Sequence, residues 1–163
     1  MTDNRREDMK PQKFTTEDTE KKNFSFIKSS VNSVVASSPK EFPLKAVTER
    51  IISCAMEVHS TLGPGLLESV YEEALAHELT IRGITYEKQK EIVLKYKGKE
   101  IGKHRIDFLI EHEVIVELKA VETMVRIYEA QILTCLRAMD KRVGLLINFN
   151  VERLKDGIKR LIH

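Results

Sequence analysis

The sequence lacks the features that mark several large classes of protein. Its two cysteines, Cys54 and Cys135, are far apart and show no CxxC spacing, so neither a disulfide framework nor a cysteine-ligated zinc module is expected. Both lie in helix-like segments and read as small buried apolar residues of a reducing compartment. No run approaches the ~20 apolar residues of a membrane span. The segment MTDNRREDMK mixes acids with bases and has no apolar run, so neither a secretory signal nor a transit peptide is expected there. A cytoplasmic protein with no membrane partner is the expectation. Aromatic residues make up only 6% of the chain, and no helix-turn-helix signature stands out. Sequence-specific base reading therefore has no obvious platform.

Charge of one sign is also missing. The formal net charge is +2, with 32% charged residues against 42% hydrophobic ones, enough apolar material for a real core in a water-facing protein. Residues 1–40 carry 8 basic and 6 acidic side chains, which leaves the remainder balanced at 19 and 19. Within that balance, residues 84–105 hold seven Lys/Arg against three Glu. Such a basic ribbon can track phosphates, and lysine-rich edge strands also protect sheets from aggregation.

Residues 1–42 are polar and Ser/Thr-rich, so a disordered or loosely ordered extension is expected there. From Pro43 the pattern sharpens into one domain spanning 43–163. Val47, Ile51, Cys54/Ala55, Val58 and Leu62 mark an amphipathic helix that Gly63-Pro64-Gly65 stops. A second helix runs from about Leu66 to Arg82, with Leu67, Val70, Tyr71, Ala74, Leu75 and Leu79 inward. Glu68 sits at the margin of that stripe, where the helix dipole also favours an acid. Ile84 to Lys90 leads into a run of Ile92, Val93, Leu94 and Tyr96, and Lys97-Gly98-Lys99 forms a turn. Glu100–Ile110 and Val114–Val121 are the third and fourth strands. Helix returns over about Val125–Met139, with Ile127, Ala130, Gln131, Leu133/Thr134 and Ala138 near one side. Val143–Phe149 reads as a strand buried on both faces. Leu154, Ile158, Leu161 and Ile162 suggest a final amphipathic helix. The order α-α-β-β-β-β-α-β-α, with a strand–helix–strand crossover after Val114, predicts an α/β fold with a central mixed sheet flanked by helices.

The stretch Arg105–Ala120, RIDFLIEHEVIVELKA, places charge inside apolar strands. Strand alternation puts Ile115, Glu117 and Lys119 on one face and Val114, Val116 and Leu118 on the other. In the preceding run Asp107 and Leu109 share a face opposite Ile106, Phe108 and Ile110. A hairpin around Glu111-His112-Glu113 gathers Asp107, Glu117 and Lys119 on one side. Two carboxylates beside a lysine suit a divalent cation with oxygen ligands. They also suit a Glu–Lys pair on a solvated strand face, which is the reading the pattern alone favours. His59, His104 and His112 have no ligand spacing among themselves, His104 being at most a neighbour of the site. Tyr71 and Asn148 read as packing and structural hydrogen-bonding residues.

These segments together resemble a known family. LGPGLLESVYEEAL (62–75) carries Gly65, Glu68 and Tyr71 in the motif that names the GxxExxY proteins. RIDFLI, VIVELKA and AQILTCLRAMDKRVGLLINF follow in that family's order. The GxxExxY proteins belong to the PD-(D/E)XK nuclease superfamily, so the resemblance implies a restriction-endonuclease-like core over roughly 43–163. It implies Asp107 as a metal-binding aspartate, with Ile106 in place of the proline of the superfamily name. It further implies Glu117 as metal ligand, Lys119 as catalytic lysine and Glu68 as the helix glutamate that completes the metal site. Gln131 falls where the exonuclease branch has a glutamine that contacts nucleic acid or supports the site. Cys135 stands where many relatives have tyrosine. The function implied is phosphodiester hydrolysis with Mg2+ or Mn2+ on nucleic acid, DNA first. Lys95, Lys97, Lys99, Lys103 and Arg105 would grip the backbone. The alternative is a catalytically inactive module of the same fold that binds nucleic acid or a protein partner.

Overall fold

The computed structural model describes residues 43–163, and the expectation for residues 1–42 lies outside the described residues. Among the described residues two helices come first, α1 (Lys45–Leu62) and α2 (Glu68–Ile81). Three strands follow, β1 (Tyr86–Tyr96), β2 (Lys99–Ile110) and β3 (Val114–Lys119). Then come α3 (Arg126–Met139), β4 (Val143–Asn148), a 3-10 turn (Leu154–Gly157) and β5 (Ile158–Ile162). The five strands form one sheet in the order β1-β2-β3-β4-β5. Only β3 and β4 run parallel, as the crossover through α3 requires, and the other pairs are antiparallel. Among the described residues no helix is long and apolar enough to cross a membrane.

The alternation in β3 divides the core. Val114, Val116 and Leu118 pack with Ile51, Ala55 and Val58 of α1 and with Tyr71, Leu75 and Leu79 of α2. Ile115 packs on the other face with Ile132, Cys135 and Leu136 of α3. Every residue of β4 is buried, so each of its large apolar side chains contributes about 1.5–3 kcal/mol of burial. The β2–β3 turn places Glu111 (φ 50) and His112 (φ 59) in the left-handed region, and the Glu113 amide closes it onto the Ile110 carbonyl at 3.0 Å. This is the primed turn whose twist suits a hairpin.

Several expectations need correction. The first two expected strands are one, β1, with a left-handed residue, Gln89 at φ 52, near the end of the first expected run. Ile106 packs in the α3-side cluster with Leu109, because the β2–β3 ladder ends at Phe108 and strict alternation ends with it. Leu67 is 74% exposed and Val70 is exposed, because the buried face of α2 is Tyr71, Leu75, Ala76 and Leu79. Leu62 is exposed at the end of α1. On α3 the side that carries Ile127, Ala130, Gln131 and Thr134 is a flank: Ile127 is 59% exposed, and the buried residues are Ile132, Cys135 and Leu136.

The largest correction is at the end of the chain, where β5 replaces the expected last helix. The β4 edge needs a hydrogen-bonding partner, and Ile158–Ile162 supplies it in antiparallel register with Val143–Ile147. The turn before it depends on glycine, since a Cβ at Gly157 would lie 2.3 Å from the Asn148 carbonyl oxygen.

Candidate active site

The site begins where β2 and β3 part. Their ladder pairs Ile110 with Val114, Leu109 with Ile115 and Phe108 with Val116, and goes no further. The Leu118 amide would then be an orphan donor, but it donates to Asp107 Oδ2 at 2.7 Å. The aspartate side chain thus takes the place of a strand carbonyl. That bond fixes one face of the carboxylate and holds it beside the next residues of β3.

Glu117 is only 9% exposed, and its Oε1 has no hydrogen-bond partner among the described residues. Burial, and then the charge of Asp107, push its carboxyl up to about 8, with Lys119 offsetting part of the rise. Lys119 Nζ lies 3.9 Å from Glu117 Oε2 and 3.5 Å from Glu68 Oε1, and donates to the Leu118 carbonyl. It also sits 5.7 Å from the centre of the Tyr128 ring. Glu68 reaches this ammonium from the first turn of α2, and its side chain is 43% exposed. Two strands and one helix therefore bring Asp107, Glu117, Lys119 and Glu68 together.

Surrounding contacts hold these elements in place. Tyr71 donates to the Gly63 carbonyl at 2.7 Å, accepts from the Leu66 amide at 3.1 Å and stacks on Phe149. That ties down the turn leading to Glu68. Asn148 accepts from the Val121 amide at 3.0 Å and donates to its carbonyl at 2.8 Å. Together with the Phe149 amide on the Lys119 carbonyl at 2.8 Å, this secures the chain just after Lys119. His59 bonds the Val151 carbonyl at 2.8 Å and takes no part.

Two residues not singled out in the sequence join the site. Gln89 donates from Nε2 to Glu72 Oε1 at 2.6 Å and makes a longer contact of 3.4 Å to Asp107 Oδ1. It does so from a left-handed backbone in mid-strand, a conformation that costs a non-glycine residue on the order of 1–3 kcal/mol. Glu72 follows Glu68 by one helical turn, a spacing visible in the sequence.

The remaining expected residues lie further out. Gln131 is exposed on α3 and lines a cavity of about 250 Å³ with His104 and Cys135. On the hairpin, Lys103 pairs with Glu91 at 2.6 Å and Lys97 lies over the Tyr96 ring. Lys95, Lys99 and Arg105 are exposed on the same ribbon.

A hard divalent cation fits the inner cluster. It would give the buried Glu117 oxygen the partner it lacks and offset the two carboxylates that face each other, with Glu68 as a third oxygen donor. A family model of the PD-(D/E)XK nuclease superfamily matches residues 45–161. A solved structure described as "Crystal structure of SSO0001" is similar at 16% identity and a TM-score of 0.42, over 85% of this chain and 75% of that one. No curated protein matches the chain.

Proposed function

The chain belongs to the PD-(D/E)XK nuclease superfamily, and from that premise we propose that it hydrolyses phosphodiester bonds, with DNA as substrate and Mg2+ or Mn2+ as cofactor. The observation that carries the reading is the meeting of Lys119 with Glu68 and Glu117 beside Asp107, around a buried carboxylate oxygen with no partner among the described residues. Asp107, Glu117 and Glu68 would hold the ion. When bound, it would supply Lewis-acid activation of water and phosphate and charge neutralisation at the leaving oxygen. Lys119, held by two carboxylates and a carbonyl, donates a hydrogen bond to the attacking water and fixes its line of approach. Asp107 keeps its place through the Leu118 amide, so the carboxylates need little rearrangement as charge develops.

Lys95, Lys97, Lys99, Lys103 and Arg105 would grip the phosphate backbone from the hairpin, giving affinity that is largely independent of sequence. Gln131, on the wall of the adjacent cavity, would contact the substrate next to the centre. The motif Gly65–Glu68–Tyr71 supports placement in the GxxExxY branch. Gly65 turns at φ 95, Glu68 faces the ammonium and Tyr71 fastens the turn. Both cysteines are free and buried, as suits a reducing cytoplasm.

The test is incubation of the full chain with linear, circular and single-stranded DNA and RNA, with Mg2+, Mn2+ or EDTA. Divalent-dependent cleavage of DNA is expected. Binding without cleavage under every condition would replace the enzyme reading with that of a binding module.

A further inference from the structure

His104 of β2, Glu117 of β3 and Cys135 of α3 come from three separate elements, yet each offers a ligand atom within 4.8 Å of the other two. Cys135 is 1% exposed, and His104 and Cys135 line the cavity of about 250 Å³, whose other walls include Leu94 and Ile127. Glu117 Oε1 is buried and has no hydrogen-bond partner among the described residues, so it is open to an ion on this side as well as to the one proposed beside Asp107. We infer that His104, Glu117 and Cys135 form a second metal site, selective for a borderline transition-metal ion of the Zn2+ class.

The donor set decides the class of ion. Mg2+ and Ca2+ take oxygen ligands, whereas one imidazole, one thiolate and one carboxylate suit Zn2+ or Co2+. Three protein donors leave a fourth position for water from the cavity. On binding, the Cys135 thiol and, below about pH 8, the Glu117 carboxyl exchange their protons for the ion and release them to solvent, while His104 donates the lone pair of a neutral ring nitrogen. The ion would pin α3 against β2 and β3. It would also draw on Glu117, which the hydrolytic centre proposed above needs, but the site itself does not depend on that reading.

Cobalt is the probe. Chelator-treated full-length protein titrated with Co2+ is expected to develop a thiolate-to-cobalt charge-transfer band that corresponds to one bound ion, that Zn2+ abolishes and that excess Mg2+ does not. His104→Ala and Cys135→Ser should remove the band, whereas Cys54→Ser and Asp107→Asn should keep it. Zn2+ should raise the unfolding temperature of the wild type and leave that of Cys135→Ser unmoved. If Cys135→Ser fails to fold, cadmium-113 resonance of the wild type decides, because its shift counts sulfur ligands and one is expected. An all-oxygen shift, a missing charge-transfer band, or a band that survives Cys135→Ser would overturn the site. A wild type that shows the band but cleaves no nucleic acid would sink the hydrolytic reading alone.

Discussion

Glu68 of α2 and Lys119 of β3 are 51 positions apart, and their side chains meet at 3.5 Å. The contact exists because Tyr71 fastens the turn before α2 while Asn148 and Phe149 fasten the chain after β3. It ties the helix motif to the strand motif.

Glu68→Gln keeps the shape and removes the charge. Since Glu68 is well exposed, stability should stay within about 0.5 kcal/mol of wild type. Divalent-ion affinity and cleavage should both fall by roughly 10-fold or more. Glu73→Gln, on an outward residue paired with Lys88, is the control and should cleave normally. A Mg2+ titration of cleavage compares the two. Wild-type kinetics in Glu68→Gln would remove this residue from the site.

The raised carboxyl of Glu117 makes the metal-free protein sensitive to pH. An unfolded glutamate titrates near roughly 4.3, whereas the folded one holds its proton up to about 8. Between those values the native state binds more protons than the unfolded state, so stability falls as pH rises. This contribution is fully present below the unfolded value and lost by about pH 8. Glu117→Gln cannot titrate, so the difference in unfolding temperature, wild type minus variant, should decline from pH 5 to pH 8 in EDTA. A flat difference would show that burial does not protonate Glu117. Saturating Mg2+ should restore wild-type stability at the alkaline end.

The fold was legible where one periodicity prevailed and ambiguous where two fitted. Val114–Lys119 alternates cleanly, and its two faces enter the two core clusters as the pattern requires. Leu154, Ile158, Leu161 and Ile162 match a helix by spacing, but the open edge of β4 decides their fate, and local sequence does not show that edge. The α3 stripe misleads for a related reason. Ile127, Ala130, Gln131 and Thr134 have helical spacing, yet they line a cavity and not the core. At the site, the alternation that puts Glu117 and Lys119 on one face can be read along a single strand. The bond from Gln89 to Glu72 cannot, because it depends on a left-handed kink and on how α2 crosses β1. The approach of His104 to Cys135 depends on helix packing in the same way.

Gln89 offers a test of that kink. Alanine and glycine at this position both lose the amide contacts to Glu72 and Asp107, but only glycine accepts φ 52 without strain. Gln89→Gly should therefore be more stable than Gln89→Ala by about 1 kcal/mol. Denaturant titration measures the gap, and equal midpoints would mean the strand relaxes away from the kink.

Gly157→Ala tests the pairing at the other edge. Its Cβ would lie 2.3 Å from the Asn148 carbonyl oxygen, so the backbone must move. A loss of about 1–3 kcal/mol is expected. Because Asn148 also holds Val121 just beyond Lys119, cleavage should fall even in variant protein that is folded. Unchanged stability would argue that the β4–β5 turn is looser than described.

Replacing Glu117 and Lys119 separately distinguishes an enzyme from a binding module. Glu117→Ala removes a proposed ligand, so divalent-ion binding and cleavage should fall together. Lys119→Met keeps a long stem of similar reach and removes the ammonium that lies 3.9 Å from Glu117. Ion affinity should then hold or rise, since a nearby positive charge has gone. Cleavage should drop by roughly 10²-fold or more, the low end for a group that positions or moves a proton. DNA binding, carried by the hairpin cations, should survive both changes and weaken with added salt. Isothermal titration with Mn2+ or Mg2+, beside cleavage and binding assays on the same preparations, reads all three quantities. Lys119→Met that cleaves like wild type would remove the lysine from the chemistry. A wild type that binds no divalent ion, together with Glu117→Ala that changes nothing, would leave this pair as a structural ion pair in a fold that binds nucleic acid without cutting it.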